Sequence, residues 1–254
     1  MKVSIITVCY NSEETIEDTI LSVISQDYPN IEYIIIDALS SDSTMSIVKK
    51  YENKIARIIS EKDKGLYDGI NKGILLATGD IVGLLHSDDV YFNSNVISKV
   101  VKEFKTNNTD SLYADLLYVD KNNLNKTIRY WKSKSYKPGL FFEGWMPPHP
   151  TFFVKKHVFD MLGVYNLSLK SASDYELMLR FLHKHKISTS YLPEVIIKMR
   201  VGGKSNLSLL NRIRANKEDR LAWKINGIKP GIFTLSRKPL SKISQFYKRF
   251  KQNN

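Results

Sequence analysis

Before residue 90 the chain repeats one pattern, a short apolar run followed by an amphipathic stretch, and few folds accommodate that alternation. The run KVSIITVCY is β-branched and apolar on both faces, as a strand inside a parallel sheet must be. IEYIIID, ARIISE and DIVGLLHS share that character. Between them, Ser12 with Glu13 and Glu14 reads as a helix start, and Ile16, Ile20, Val23 and Ile24 recur at helical spacing. A second helix is expected over Thr44–Tyr51 and a short third over Gly69–Ala77. Strands alternating with helices wind into a largely parallel α/β sheet. A chain of 254 residues suits one large α/β domain with an appendage.

Three of these strands run out into polar clusters: Tyr10 with Asn11, Asp37, and His86 to Asp89. In an open α/β sheet, ligands bind at that carboxyl edge. No GxGxxG follows the first strand and no GxxxxGK[ST] occurs, which argues against dehydrogenase and P-loop kinase chemistry. A divalent metal held by one or two carboxylates is the other common device for holding a diphosphate, and Asp88 and Asp89 offer them. Asp37, an acceptor-only carboxylate, suits hydrogen bonds from a base or ribose. Each also has a plainer use, since Asp is common in turns and Asp88 with Asp89 would shape the turn before a helix starting near Asn93.

The segment VSIITVCYNSEETIEDTILSVISQDYPNIEYIIIDALSSDST resembles the opening of family 2 glycosyltransferases, inverting nucleotide-sugar enzymes of the GT-A fold. EKDKGLYDGINKGILLATGDIVGLLHSDD is similar to the segment that leads to their DXD metal motif, and PPHPTFFVKKHVFDMLGVYN with SASDYELMLRF to their acceptor side. The motifs come in the family's order and reach about residue 182. The resemblance implies a GT-A sheet, mostly parallel and Rossmann-like, flanked by helices. It places Thr7, Tyr10, Asn11, Glu13 and Asp37 around the nucleotide, with Asp37 meeting the base, and lines the donor site with Asp63, Asp68, Asn71, Lys72 and Asp88. His86-Ser87-Asp88 occupies the DXD slot with His86 in place of the first carboxylate. Asp88 is then the main ligand for Mn²⁺ or Mg²⁺, with Asp89 and His86 beside it; a neutral imidazole can still ligate Mn²⁺. His149 matches a polar position near the reacting centre.

Asp174 matches the family's general base. A carboxylate suits that task because the acceptor hydroxyl must lose its proton as it attacks the anomeric carbon. A carboxylate there also suits the first turn of a helix whose apolar face is Leu177, Met178, Phe181 and Leu182. Of Trp131, Trp145 and Trp223, Trp145 is the best candidate for acceptor contact, lying in FFEGWMPPHP next to His149. His183 and His185 are spaced i, i+2, which is wrong for a shared metal, and read as a solvated helix end. The single cysteine, Cys9, reads as a small buried hydrophobe.

The net charge of +12 is uneven. From Lys198 onward there are 15 Lys and Arg against Glu218 and Asp219, leaving 23 basic and 24 acidic residues in positions 1–197. The expected layout is a GT-A domain over 1–197, split into a nucleotide-sugar half (1–95) and an acceptor half (96–197), with a basic helical extension over 198–254. Leu240, Ile243, Phe246, Tyr247 and Phe250, interleaved with Lys242, Lys248, Arg249 and Lys251, read as an amphipathic helix for an anionic membrane surface. With no run near the roughly 18 apolar residues a spanning helix needs, the expected location is the cytoplasm, peripheral on the inner face of the membrane. The expected partners are a nucleotide-sugar donor, UDP-linked, and a saccharide or lipid-linked saccharide acceptor; no nucleic acid is expected. A nucleotidyltransferase would use similar carboxylates, and a membrane or RNA adaptor would use the tail alone.

Overall fold

The computed structural model describes residues 1–202, 209–231 and 234. Its elements in chain order are β1 (Val3–Cys9), α1 (Ile16–Ile24), β2 (Ile31–Asp37), α2 (Thr44–Lys49), β3 (Arg57–Ser60), α3 (Leu66–Leu76) and β4 (Ile81–Leu84). There follow β5 (Val90–Tyr91), α4 (Val96–Asn107), β6 (Ser111–Val119), β7 (Thr127–Trp131), β8 (Phe153–Lys155), α5 (Lys156–Leu162), α6 (Ser173–Met178), β9 (Thr189–Arg200) and α7 (Leu209–Ile225). One mixed sheet runs β3-β2-β1-β4-β8-β6-β9-β5, with β7 paired to β6.

The first half is parallel throughout, and its register brings Cys9 beside Asp37 and Asp37 beside Ser60. The polar clusters that follow β1, β2 and β4 therefore share one edge. All seven residues of β1 are buried, as its unbroken apolar run requires. The helix over it packs closely: a Cβ on Gly73 of α3 would stand 2.4 Å from Ile6 Cγ2.

The second half departs from the expected parallel pattern. β8 is antiparallel to both β4 and β6, β7 to β6, and β5 to β9; only β6 and β9 run parallel. For β7 the physical reason is connection length, since β6 reaches it through a short turn and needs no helical crossover. Helix starts also shift. The Ser12 carbonyl accepts the Thr15 and Ile16 amides, so a turn fills 12–15 and α1 begins at Ile16. α3 begins three residues before its expected start, released from the preceding loop by Gly65 at φ +124°.

The expected boundary after residue 197 cuts through β9, which continues to Arg200 within the sheet. α7 packs on the body, with Ala222 and Trp223 in the main core. The amphipathic segment 236–254 lies outside the described residues. Among those described, no helix is long and apolar enough to cross a membrane.

Candidate active site

The carboxyl edge of the parallel strands is a rim of short polar loops, and its side chains divide into those that build the rim and those that face across it. Thr7 belongs to the floor: it is fully buried and accepts a hydrogen bond from Tyr33 Oη at 3.2 Å. Asp37 is also fully buried. Its Oδ2 accepts from the Ser60 hydroxyl at 2.6 Å and the Ser40 amide at 3.1 Å, its Oδ1 from the Ser40 hydroxyl, and the Cys9 thiol donates to it at 3.7 Å. Both side chains are thus closed off from solvent. Asn11, at φ +49°, closes the rim by accepting the Ser41 amide at 2.9 Å, and Glu13 accepts the Ser43 amide at 2.9 Å. Tyr10, half exposed, points outward beside them.

The 61–72 segment shows the same division. Asp63 accepts the Gly65 amide and Asp68 the Lys64 amide, each at 2.9 Å, so both shape the loop that precedes α3. Lys72 ties that loop down through the Lys62 carbonyl at 2.9 Å and Glu61 at 2.8 Å. Asn71 is buried and holds the Tyr165 backbone by both its amide and its carbonyl, each at 2.9 Å. These residues fix the loop before α3 and join it to the Tyr165 backbone. The missed neighbour is Tyr67. Its ring stacks on Tyr165 with centroids 5.5 Å apart, and its hydroxyl donates to Asp174 Oδ1 at 3.3 Å.

Asp174 thus lies where both halves meet. His149 Nδ1 is 3.3 Å from its Oδ2, and the two side chains are 29% and 17% exposed, so the pair sits in a cleft that solvent still enters. The His86 ring lies 6.3 Å from that of His149, centroid to centroid. Burial pushes the His86 imidazole below its ordinary range, against the opposing pull of Asp88 and Asp174, which keeps it neutral at pH 7.

The loop carrying His86, Ser87 and Asp88 is anchored from two sides. Thr15, just before α1, and Thr19 within it donate to the Ser87 and Asp89 carbonyls, both at 2.8 Å. Arg200, at the end of β9, donates to the Asp88 carbonyl at 2.7 Å and to the Lys121 carbonyl at 3.1 Å, and pairs with Asp18. Asp88 is half-buried, whereas Asp89 is fully buried, accepting the Arg200 amide at 3.3 Å. Burial, reinforced by Asp88, pushes the Asp89 carboxyl well above its usual range. Asp89 faces the interior, held by the Arg200 backbone, rather than the edge where Asp88 stands.

Among the described residues no three His, Cys, Asp or Glu side chains converge as a metal cage. What remains is Asp88 with a neutral His86 two residues before it. That set fits Mn²⁺ or Mg²⁺ only where substrate phosphates complete the coordination, which is how such ions are usually held.

Trp145 is partly buried. It packs among Tyr113, Tyr136 and Phe141 at 5.7–5.9 Å between centroids. Trp131 is the tryptophan whose ring meets His149, at 6.4 Å. Trp223 is core, and His183, expected in solvent, packs against Phe142 at 5.0 Å and Trp223 at 5.9 Å. Arg200 and Tyr67 escaped the sequence reading. Tyr67 stood inside the quoted KDKGLYDG stretch, but nothing local marks Arg200.

Comparison with known proteins agrees with this geometry. The glycosyl transferase family 2 model matches residues 4–161. An uncharacterized glycosyltransferase of Mycobacterium tuberculosis H37Rv is 30% identical over 180 residues, covering 70% of this chain and 68% of that protein. TuaG of Bacillus subtilis 168, whose name places it in teichuronic acid biosynthesis, is 40% identical over 90 residues, 34% of this chain and 36% of its own. Among solved structures, Staphylococcus aureus TarS 1–349 in complex with UDP-GlcNAc superposes with a TM-score of 0.70 at 19% identity, covering 89% of this chain and 65% of that one. The mannosyltransferase PcManGT of Pyrobaculum calidifontis, in complex with GDP-Man and Mn²⁺, gives 0.67 at 20% identity, covering 93% and 68%. The chain belongs to glycosyl transferase family 2 and has the GT-A fold; it is a glycosyltransferase.

Proposed function

We propose that this family 2 glycosyltransferase transfers one sugar, with inversion, from a UDP-linked donor to a saccharide or lipid-linked saccharide during envelope polysaccharide assembly. The observation that carries the reading is Asp174, a carboxylate held by Tyr67 and His149 within the cleft that His86 and Asp88 border. An ionised carboxylate has about four acceptor sites, so those two contacts leave room for an acceptor hydroxyl. As the acceptor oxygen bonds to the anomeric carbon, its proton passes to Asp174. The bond from that carbon to the phosphate oxygen breaks, and its electron pair leaves with the nucleoside diphosphate. Attack from the opposite face in one step inverts the carbon. Asp88, with His86, would hold the divalent cation, which when bound offsets charge on the departing diphosphate. Asn11, Glu13 and Tyr10 form the nucleotide's rim.

UDP-GlcNAc in TarS and GDP-Man with Mn²⁺ in PcManGT support a nucleotide-sugar donor and a metal, and the name of TuaG supports an envelope polysaccharide. The basic amphipathic pattern of 236–254 supports a cytoplasmic enzyme that docks on anionic lipid. The test is a screen of nucleotide sugars with Mn²⁺, read by thermal stabilisation and then by products. Release of a nucleoside diphosphate with a glycosylated acceptor is expected; pyrophosphate release from a nucleoside triphosphate would make the chain a nucleotidyltransferase instead.

A further inference from the structure

α7 lies beyond the stretch matched by the family model, yet its contacts with the body gather around one residue. Glu218 Oε2 accepts three hydrogen bonds: from the Ser171 amide at 2.7 Å, the Ser171 hydroxyl at 2.9 Å and the Ala172 amide at 3.1 Å. One helical turn and a little further on, Trp223 donates its indole N–H to Tyr175 Oη at 3.0 Å. Asn226 then donates to Glu176 Oε1 at 3.1 Å. The contacted residues are 171, 172, 175 and 176, which bracket Asp174 on both sides.

Those contacts continue into the acceptor half. Glu176 is buried and pairs with Arg180 at 3.0 Å, and Arg180 donates to the carbonyls of Leu162, Gly163 and Val164. The next residue, Tyr165, is the one Asn71 holds and Tyr67 stacks on. Asp174 therefore sits in the first turn of a helix whose entry is fixed by α7 and whose body is fixed against the loop that reaches Tyr165.

We infer that Glu218 is a positioning residue for the transfer reaction: it fixes the 171–172 turn, and through it the place of the Asp174 carboxylate. Geometry gives the reason. α6 is short and lacks a side-chain cap of its own, so the orientation of its first turn depends on what binds the residues before it. One ionised oxygen collecting three donors is a strong local constraint. A misplacement of about 1 Å at a reacting group can cost about 10²-fold in rate. The basic segment thus contributes to chemistry as well as to charge. This inference rests on the reading of Asp174 as the base.

A double-mutant cycle tests it in the full-length chain. Glu218→Gln should lower kcat about 10- to 100-fold while donor KM and thermal midpoint change little. Placed on Asp174→Asn, the same substitution should cost nothing further, since the group it positions no longer acts as a base. Ser171→Ala, which removes one donor of three and leaves the helix intact, should repeat the pattern at smaller size, and serves if the Glu218 variant folds poorly. Unchanged kcat in both variants, or an equal fold-loss in the Asp174→Asn background, overturns the inference. Near-normal turnover in Asp174→Asn alone overturns the base reading, and this one with it.

Discussion

Glu32, buried at the amino end of the parallel strands, and the partly exposed pair Asp174 and Asp88 beyond their carboxyl end are carboxylates held in opposite ways. At the amino end, Glu32 is surrounded by donors: Lys2 Nζ at 2.8 Å, the Ser4 hydroxyl at 2.5 Å, and the Thr78 amide and hydroxyl at 2.8 and 2.6 Å. Burial raises its pKa, but those donors outweigh burial and pull it down to about 2. At the carboxyl end, Asp174 meets one tyrosine and one histidine at 3.3 Å, and Asp88 faces a neutral imidazole. The first acid is saturated and stabilises the fold. The second set keeps lone pairs for something that is not part of the chain. Satisfaction of acceptors, more than burial, separates an acid that builds from an acid that works.

The largest expected effect is at Asp174. Asp174→Asn keeps shape and one acceptor oxygen while losing basicity, and should lower turnover by roughly 10²–10⁴-fold with affinity for the nucleotide sugar nearly intact. Rapid-quench assays and calorimetry with the donor check both halves; near-normal turnover would mean that another group removes the proton.

Next is Asp88. Asp88→Ala should remove the Mn²⁺ dependence of UDP binding, a loss of at least about 10²-fold, whereas His86→Ala, which deletes a neutral ligand, should weaken it about 10-fold. Calorimetry of UDP with and without Mn²⁺ separates the two. An unchanged Mn²⁺ effect in the Asp88 variant would take Asp88 off the ligand set. Asp89→Asn, at a fully buried side chain, should leave that affinity where it was.

At the other end the effect is on stability. Glu32 has a folded pKa below the ordinary value of about 4.3, so its contribution is complete above that pH and disappears as pH falls toward 2. Lys2 is 38% exposed, and solvent screening on that side brings the expected contribution to about 1–3 kcal/mol. Glu32→Gln should lower denaturant stability by that much at pH 7 and flatten the loss between about pH 4.3 and 2. Equal pH dependence in both proteins would show that other acids govern acid unfolding.

How much of this could be read before the fold was known follows the physics of each signal. β1 to β4 were legible because β-branched runs apolar on both faces have few uses other than a buried parallel strand. The edge they share was legible because each run ends in a polar cluster. Asp88 was legible as a metal carboxylate at the end of a strand, whereas the role proposed for Asp174 came with the family resemblance. What a linear pattern cannot carry is direction. Asp37, Thr7 and Asn71 lie at the right edge, but they point into the floor or clamp a neighbouring loop, and only the packing of Ser40, Ser60, Tyr33 and Tyr165 decides that. Nor could spacing show that the tryptophan ring meeting His149 is that of Trp131, while Trp145 packs with three other aromatic rings. Glu218 and Arg200 act on residues 47 and 112 positions away, beyond any local spacing rule.

The contrast between the two ends is tested most directly by measuring single-turnover transfer and thermal midpoint on Asp174→Asn and Glu32→Gln side by side. The expected result is crossed: the Asp174 variant loses transfer and keeps its midpoint, while the Glu32 variant loses several degrees and keeps its transfer rate. If both quantities fall together in both variants, the carboxyl edge is structural like the amino edge, and the site lies elsewhere.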